Sequence, residues 1–157
     1  MRIWLLAACV AWACGAAATA TGKPLPEGGL TAVEYARWLE DNGYKADIQK
    51  DKDGDAHVDS GADGLRFSVY FYDCRKDRCA ALQYYVGFDK GPDTPNLEKV
   101  NAFNREKRYI KAYLDTDGDV SFEYDGNLAP GGTWEAVEDD FNTFLGYLPE
   151  LKKLVNW

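Results

Sequence analysis

Apolar side chains alternate with polar ones in six stretches of the chain and recur every three or four residues in three others. The first helical stretch opens with Thr31-Ala32-Val33-Glu34, the reciprocal capping pattern in which Thr31 serves the Glu34 amide and Glu34 reaches back. Val33, Ala36 and Leu39 form its stripe with Tyr35 and Trp38 beside it, and Gly43 suits a left-handed end, which predicts a helix over residues 32–41. A second helix is predicted from Thr94, with Pro95 in its first turn, to about Lys107, turning Leu97, Val100 and Asn104 inward. Arg105, Lys107 and Arg108 suit its negative end. A third begins after Gly131-Gly132 with Thr133 as cap and carries Trp134, Val137, Phe141, Phe144, Leu145 and Leu148 at helical spacing. Pro149 is expected to kink or restart it before Leu151, Leu154 and Val155.

The strand stretches fix their own pairing. Between Tyr44–Lys50 and Ala56–Ser60, matching Ile48 to Val58 leaves Lys52, Asp53 and Gly54 as a three-residue loop whose last position prefers glycine. The same holds between Tyr109–Leu114 and Val120–Tyr124, where matching Leu114 to Val120, Ala112 to Phe122 and Ile110 to Tyr124 leaves Thr116, Asp117 and Gly118. The longest strands, Leu65–Cys74 and Cys79–Phe88, are joined by Arg75-Lys76-Asp77-Arg78. Setting Cys74 opposite Cys79 puts Phe67 against Val86, Val69 against Tyr84 and Phe71 against Leu82, so one register gathers the large apolar side chains on one face. The other face then carries Arg66, Ser68, Tyr70 and Tyr72 against Gln83 and Tyr85.

The order α-β-β-β-β-α-β-β-α predicts an α+β domain: an antiparallel β-sheet of five or six strands with three helices covering one face. Arg2, the apolar run Ile3–Ala18 and the small-residue pattern Ala18-Thr19-Ala20 read as a secretory signal peptide cleaved after Ala20. Residues 1–20 are thus the signal, 21–29 a flexible Gly/Pro-rich leader and 30–157 the domain. Leu6-Ala7-Ala8-Cys9 matches the box before a lipidated cysteine, but too few apolar residues precede it for a signal core, and Cys9 and Cys14 leave with the signal. No later segment is apolar enough for a membrane anchor. The 18 basic against 26 acidic residues, net −8, disfavour nucleic acid and anionic membranes as partners.

Composition then narrows the chemistry. Cys74 and Cys79 are the cysteines left after the signal, and their register makes them a disulfide, with no Cys-x-x-Cys spacing or adjoining histidine to suggest redox catalysis. Alternating carboxylates at Asp51, Asp53 and Asp55, with His57 and Asp59, and again at Asp115, Asp117 and Asp119, suggest calcium. A calcium loop starting at Asp51 would need glycine sixth and glutamate twelfth, where Ala56 and Ala62 stand, so no metal is expected. His57, the sole histidine, falls on the polar face as a surface residue, and Glu34, Glu98, Glu123 and Glu135 read as solvated. No nucleophile elbow and no phosphate-cradling glycine loop occur, so neither enzyme activity nor a cofactor is expected. The cluster of Tyr70, Tyr72 and Tyr85 with Arg66, Ser68 and Gln83 is the candidate protein-binding face, because tyrosines bury area while keeping a hydroxyl to pair.

The blocks Ser60-Gly-Ala-Asp-Gly-Leu-Arg-Phe-Ser-Val-Tyr-Phe-Tyr-Asp-Cys74, Val100-Asn-Ala-Phe-Asn-Arg-Glu-Lys-Arg-Tyr109 and Ala112-Tyr-Leu-Asp115 resemble the YbjN family of bacterial sensory-transduction regulators over about residues 30–155. The resemblance implies a fold like that of type III secretion chaperones, which often pairs into homodimers and offers surfaces to client polypeptides, and it carries no catalytic residues over. The chain departs from cytoplasmic members in its signal peptide and cysteine pair. Two functions follow as expectations. One is a periplasmic or secreted interaction module for a protein or peptide client, with a regulatory or chaperone-like role. The other is a small-ligand or calcium-binding accessory protein, which needs a closed pocket between helices and sheet or converging carboxylates.

Overall fold

The structure, a computed structural model, describes residues 22–157; the signal-peptide reading, with Cys9 and Cys14, falls outside the described residues. Helix α1 spans Ala32–Asp41, and its capping box is complete: the Glu34 amide donates to Thr31 Oγ1 at 3.1 Å and the Thr31 amide donates to Glu34 Oε2 at 3.0 Å. Helix α2 spans Leu97–Glu106 and starts later than the sequence suggests. Its N-cap is Asn96, whose Oδ1 accepts from the Lys99 amide at 3.0 Å, while Thr94 Oγ1 accepts from the Gly91 amide in the preceding turn. Leu97 therefore becomes the first helical residue and is 70% exposed instead of facing inward; Val100 and Phe103 are the buried pair.

Helix α3 spans Trp134–Val155 and runs without interruption through Pro149, so the helix does not restart there. Pro149 sits on the exposed side, and the burial of Leu148 and Leu151 on either side of it holds the turn against the loss of one backbone hydrogen bond.

Six antiparallel strands, β1 (Asp47–Lys50), β2 (Ala56–Ala62), β3 (Leu65–Arg75), β4 (Arg78–Phe88), β5 (Ile110–Leu114) and β6 (Val120–Asn127), form one sheet in the order β1-β2-β3-β4-β6-β5. Ile48 pairs with Val58, Val69 with Tyr84, Phe71 with Leu82, Cys74 with Cys79, Ala112 with Phe122 and Leu114 with Val120, as the apolar alternation requires. Gly54 and Gly118 close the two three-residue loops at φ +90° and +86°. The β3–β4 connection is tighter than expected. Arg75 pairs with Arg78, leaving Lys76 and Asp77 as a two-residue turn with both φ values positive, the geometry that matches strand twist. This hairpin lies at the centre of the sheet, not at its edge.

All three helices pack on one face. Tyr84 stacks on Phe144 at 4.6 Å between ring centres, Phe67 meets Phe144 at 5.1 Å, and Phe103 meets Phe122 at 5.7 Å. The buried Tyr35 and Tyr84 hydroxyls bond each other at 2.8 Å, which satisfies two polar groups inside the apolar layer. Asn104 does turn toward the sheet, for a reason parity does not show: its Nδ2 donates to the Ala112 carbonyl at 2.9 Å, and the Ala112 amide donates to its Oδ1 at 2.8 Å. The side-chain amide thereby caps the middle of edge strand β5 as a neighbouring peptide would.

The segment before α1 makes backbone contacts with the rest of the domain. The Leu25 amide donates to the Gly132 carbonyl, and Leu30 and Cys79 exchange both backbone hydrogen bonds, at 3.2 and 2.8 Å, with Leu30 fully buried. Gly29 makes this approach feasible, since a Cβ there would lie 2.0 Å from the Cys79 carbonyl oxygen.

Candidate functional site

The pairing that sends Val58, Val69, Tyr84 and Tyr124 toward the helices sends their sequence neighbours the other way. Asp59, Ser68, Tyr85, Glu123 and Lys111 thus form one row across five strands, and Tyr70, Gln83 and Asp125 lie in the row beside it. Among the described residues no helix covers this side of the sheet. All six sequence-predicted face residues, Arg66, Ser68, Tyr70, Tyr72, Gln83 and Tyr85, share it.

The aromatic part is built on contacts between strands. Tyr70 lies against His57 at 5.1 Å and a 30° interplanar angle, and its ring meets Tyr85 edge-on at 6.0 Å. The Tyr85 hydroxyl is 3.0 Å from Ser121 Oγ. Tyr72, 47% exposed, donates to Gln83 Oε1 at 3.3 Å. His57 is less of a surface residue than its parity suggests: only 14% of its side chain is exposed, because Tyr70 covers the ring. Its Nε2 lies 3.6 Å from Asp59 Oδ1, and among the described residues its buried Nδ1 has no partner.

The polar part centres on Glu123, whose place in the sequence suggests only a solvated side chain. Glu123 accepts from Tyr113 at 2.5 Å, from Gln83 Nε2 at 3.1 Å and from Lys111 Nζ at 2.6 Å. Gln83 Nε2 also reaches Asp125 Oδ1 at 2.7 Å, and Ser68 Oγ donates to Asp59 Oδ1 at 2.6 Å. Partial burial, reinforced by the Glu123 hydrogen bond, pushes the Tyr113 phenol up to about 12. Burial also raises Tyr70, against the opposing pull of the Ser68 hydrogen bond, and Tyr72, and the charges of Asp59 and Glu123 respectively push the same way as burial. The face therefore presents neutral hydroxyls in a negative field.

Lys111, Tyr113, Ser121, Glu123 and Asp125 escaped the sequence reading because β6 inserts between β4 and β5, a crossover that local pairing does not announce. The signal lay in parity, since the β5–β6 register already put these side chains opposite Ala112 and Phe122.

At the distal end of the central hairpin, Cys74 and Cys79 form a disulfide with an S–S distance of 2.11 Å. Next to it Arg78 grips both Glu34 carboxylate oxygens at 2.8 Å and the Gly29 carbonyl at 3.0 Å, tying the hairpin tip to the start of α1. Arg78 also holds the Glu34 carboxyl below its ordinary range.

The alternating aspartates close their own turns. Asp51 Oδ1 accepts from the Asp53 and Asp55 amides at 2.8 and 3.0 Å, and Asp115 Oδ1 accepts from those of Asp117 and Asp119 at 3.0 and 2.9 Å. Among the described residues no group of three or more histidine, cysteine or carboxylate side chains is placed to hold a metal ion, and no helix is long and apolar enough to cross a membrane.

Fold and face together define a two-layer α+β domain, helices on one side and a polar, tyrosine-rich sheet surface on the other. The sequence model of the YbjN family, described as "Putative bacterial sensory transduction regulator", matches residues 33–148, so the chain belongs to that family. The solved structure titled "Crystal structure of YbjN, a putative transcription regulator from E. coli" is similar in fold, with a TM-score of 0.54 at 16% identity, covering 78% of this chain and 87% of that one. No curated relative matches the chain. The family is described as a regulator, not as an enzyme.

Proposed function

We propose that the chain is an exported, non-enzymatic protein-interaction module with a regulatory or chaperone-like role in the bacterial envelope, and that a protein or peptide client docks on the open sheet face. The observation that carries this reading is the uncovered cluster of Tyr70, Tyr72 and Tyr85 with Arg66, Ser68 and Gln83, on a side of the sheet that no described helix occupies. Clustered tyrosines offer large contact area at low entropic cost, and their hydroxyls here are already oriented by Gln83 and Ser121.

Export is supported by the pattern of residues 1–20 and by the Cys74–Cys79 disulfide, which persists in a non-reducing compartment. The small-ligand alternative fares worse, because the space between helices and sheet is filled by Tyr35, Phe67, Tyr84, Phe141 and Phe144.

A photo-reactive residue placed at Tyr70, compared with one at Glu138 on the exposed side of α3, tests the reading in the native envelope. Adducts from Tyr70 and none from Glu138 support it. Adducts from Glu138 alone would move the binding surface to the helices, and an adduct at twice the chain's own mass would make the client a second copy.

A further inference from the structure

We infer that the occupant of the sheet face is an extended polypeptide segment bearing Lys or Arg four residues apart; this rests on the face being the binding surface. By strand phase the face carries Asp47, Asp59, Glu123 and Asp125 with the turn residues Asp51 and Asp55 at its rim, against Arg66 and Lys111. Lys111 is already committed to Glu123, which removes one charge of each sign and leaves the acidic surplus standing. A second copy would bring the same negative surface against itself, and anionic lipid or nucleic acid would be repelled likewise. The outward side chains are polar or aromatic, so an apolar helix finds no groove to fill, whereas a cation finds tyrosine faces next to carboxylates.

The spacing follows from the sheet. Asp59 on β2 and the Glu123–Asp125 pair on β6 are three strands apart in the order β2-β3-β4-β6. At about 4.8 Å per strand that is about 14 Å. In an extended chain, side chains at i and i+4 point the same way about 13 Å apart. One base therefore reaches Asp59 and the next reaches the β6 carboxylates, while the residues between them lie over Ser68, Tyr70, Tyr85 and Gln83. Beside Asp59 the surface dips into a cavity of ≈ 360 Å³ also lined by Ser68, Tyr85, Asp89, Asp119 and Arg66, room for the first basic side chain.

Fluorescence anisotropy with labelled ten-residue peptides tests the inference directly. The peptides carry two Lys, two Glu or two Gln at i and i+4 in an otherwise neutral extended sequence. The Lys peptide should bind at least about tenfold more tightly than the Glu peptide, and the preference should shrink with added salt. Asp59→Asn with Asp125→Asn should weaken it about tenfold, and Glu138→Gln with Asp139→Asn, the same change of net charge on α3, by less than about twofold. Equal losses in the two variants would reduce the effect to bulk charge and overturn the inference, as would equal binding of the Gln peptide. If the Gln peptide binds as well and Tyr70→Ala with Tyr85→Ala abolishes both, the face remains the binding surface and only its cation preference fails. If the Lys peptide binds both the tyrosine variant and the Asp59–Asp125 variant unchanged, face and preference fail together. No binding by the Lys peptide overturns the inference alone, and the Tyr70 crosslink then decides the face.

Discussion

Replacing Tyr70 and Tyr85 together with alanine separates a docking surface from a core. Two aromatic contacts disappear, Tyr70 on His57 and Tyr70 on Tyr85, each worth about 0.5–1.5 kcal/mol at most on this half-exposed face. The Tyr85–Ser121 hydrogen bond also goes, about 1 kcal/mol, leaving the buried Ser121 hydroxyl to find water through the gap. The double variant should therefore lose about 2–4 kcal/mol over two side chains and keep its fold. Phe144→Ala supplies the contrast, since that ring is fully buried against Tyr84 and Phe67, and its removal should by itself cost about 3–5 kcal/mol. Urea unfolding followed by circular dichroism reads both, with an unchanged slope confirming that the same surface is exposed on unfolding. A double-variant cost equal to that of Phe144→Ala would mean the tyrosine side is covered, refuting the two-layer account. A stable double variant whose peptide binding matches the parent would remove the tyrosines from the function.

Reducing the disulfide, or changing Cys74 and Cys79 to serine, should lower stability by about 2 kcal/mol through the freed hairpin loop, with the fold retained. Two free thiols in oxidised protein would contradict the crosslink. Burial pushes the Tyr35, Tyr84 and Tyr124 phenols up, so their folded-state proton affinity exceeds that of the unfolded chain, whose phenols titrate near pH 10. The stability they contribute is present below pH 10 and is lost as pH rises above it, so tyrosinate absorbance should complete its rise only with unfolding. All ten tyrosines titrating smoothly near pH 10 in folded protein would be the contrary result. Asn104→Ala should cost about 1–3 kcal/mol by stripping both backbone partners from Ala112, and should speed exchange of the Ala112 amide. Unchanged exchange there would show that α2, not the side-chain amide, protects the β5 edge.

Local patterns carried most of the fold. Alternation in β3 and β4 is strong enough that a one-residue slip would expose Phe67, Val69 and Val86, so the register follows from the residues alone. Thr31 and Glu34 announce α1 because both partners of the capping box lie within one turn. Errors arose where two local signals compete. Thr94-Pro95 looks like a helix start, but Asn96 is the better cap, and it shifts Leu97 from stripe to surface. Pro149 reads as a break in isolation and is overridden by the burial of its neighbours. Features joining distant segments lay beyond local reasoning: the crossover that brings Glu123 beside Tyr85, the docking of Leu30 on Cys79, and the Arg78–Glu34 grip. Half of the candidate face was therefore visible as tyrosines on β3 and β4, and its carboxylate half emerged only with the strand order.

Tyrosine nitration of the free protein, mapped residue by residue by mass spectrometry, bears most directly on the claim that one side of the sheet is open and the other sealed. Tyr72 and Tyr113 should react early, Tyr70 and Tyr85 more slowly, and Tyr35, Tyr84 and Tyr124 not at all while the protein stays folded. Protection of Tyr72 and Tyr113 together with modification of Tyr84 would invert the two faces and contradict the account.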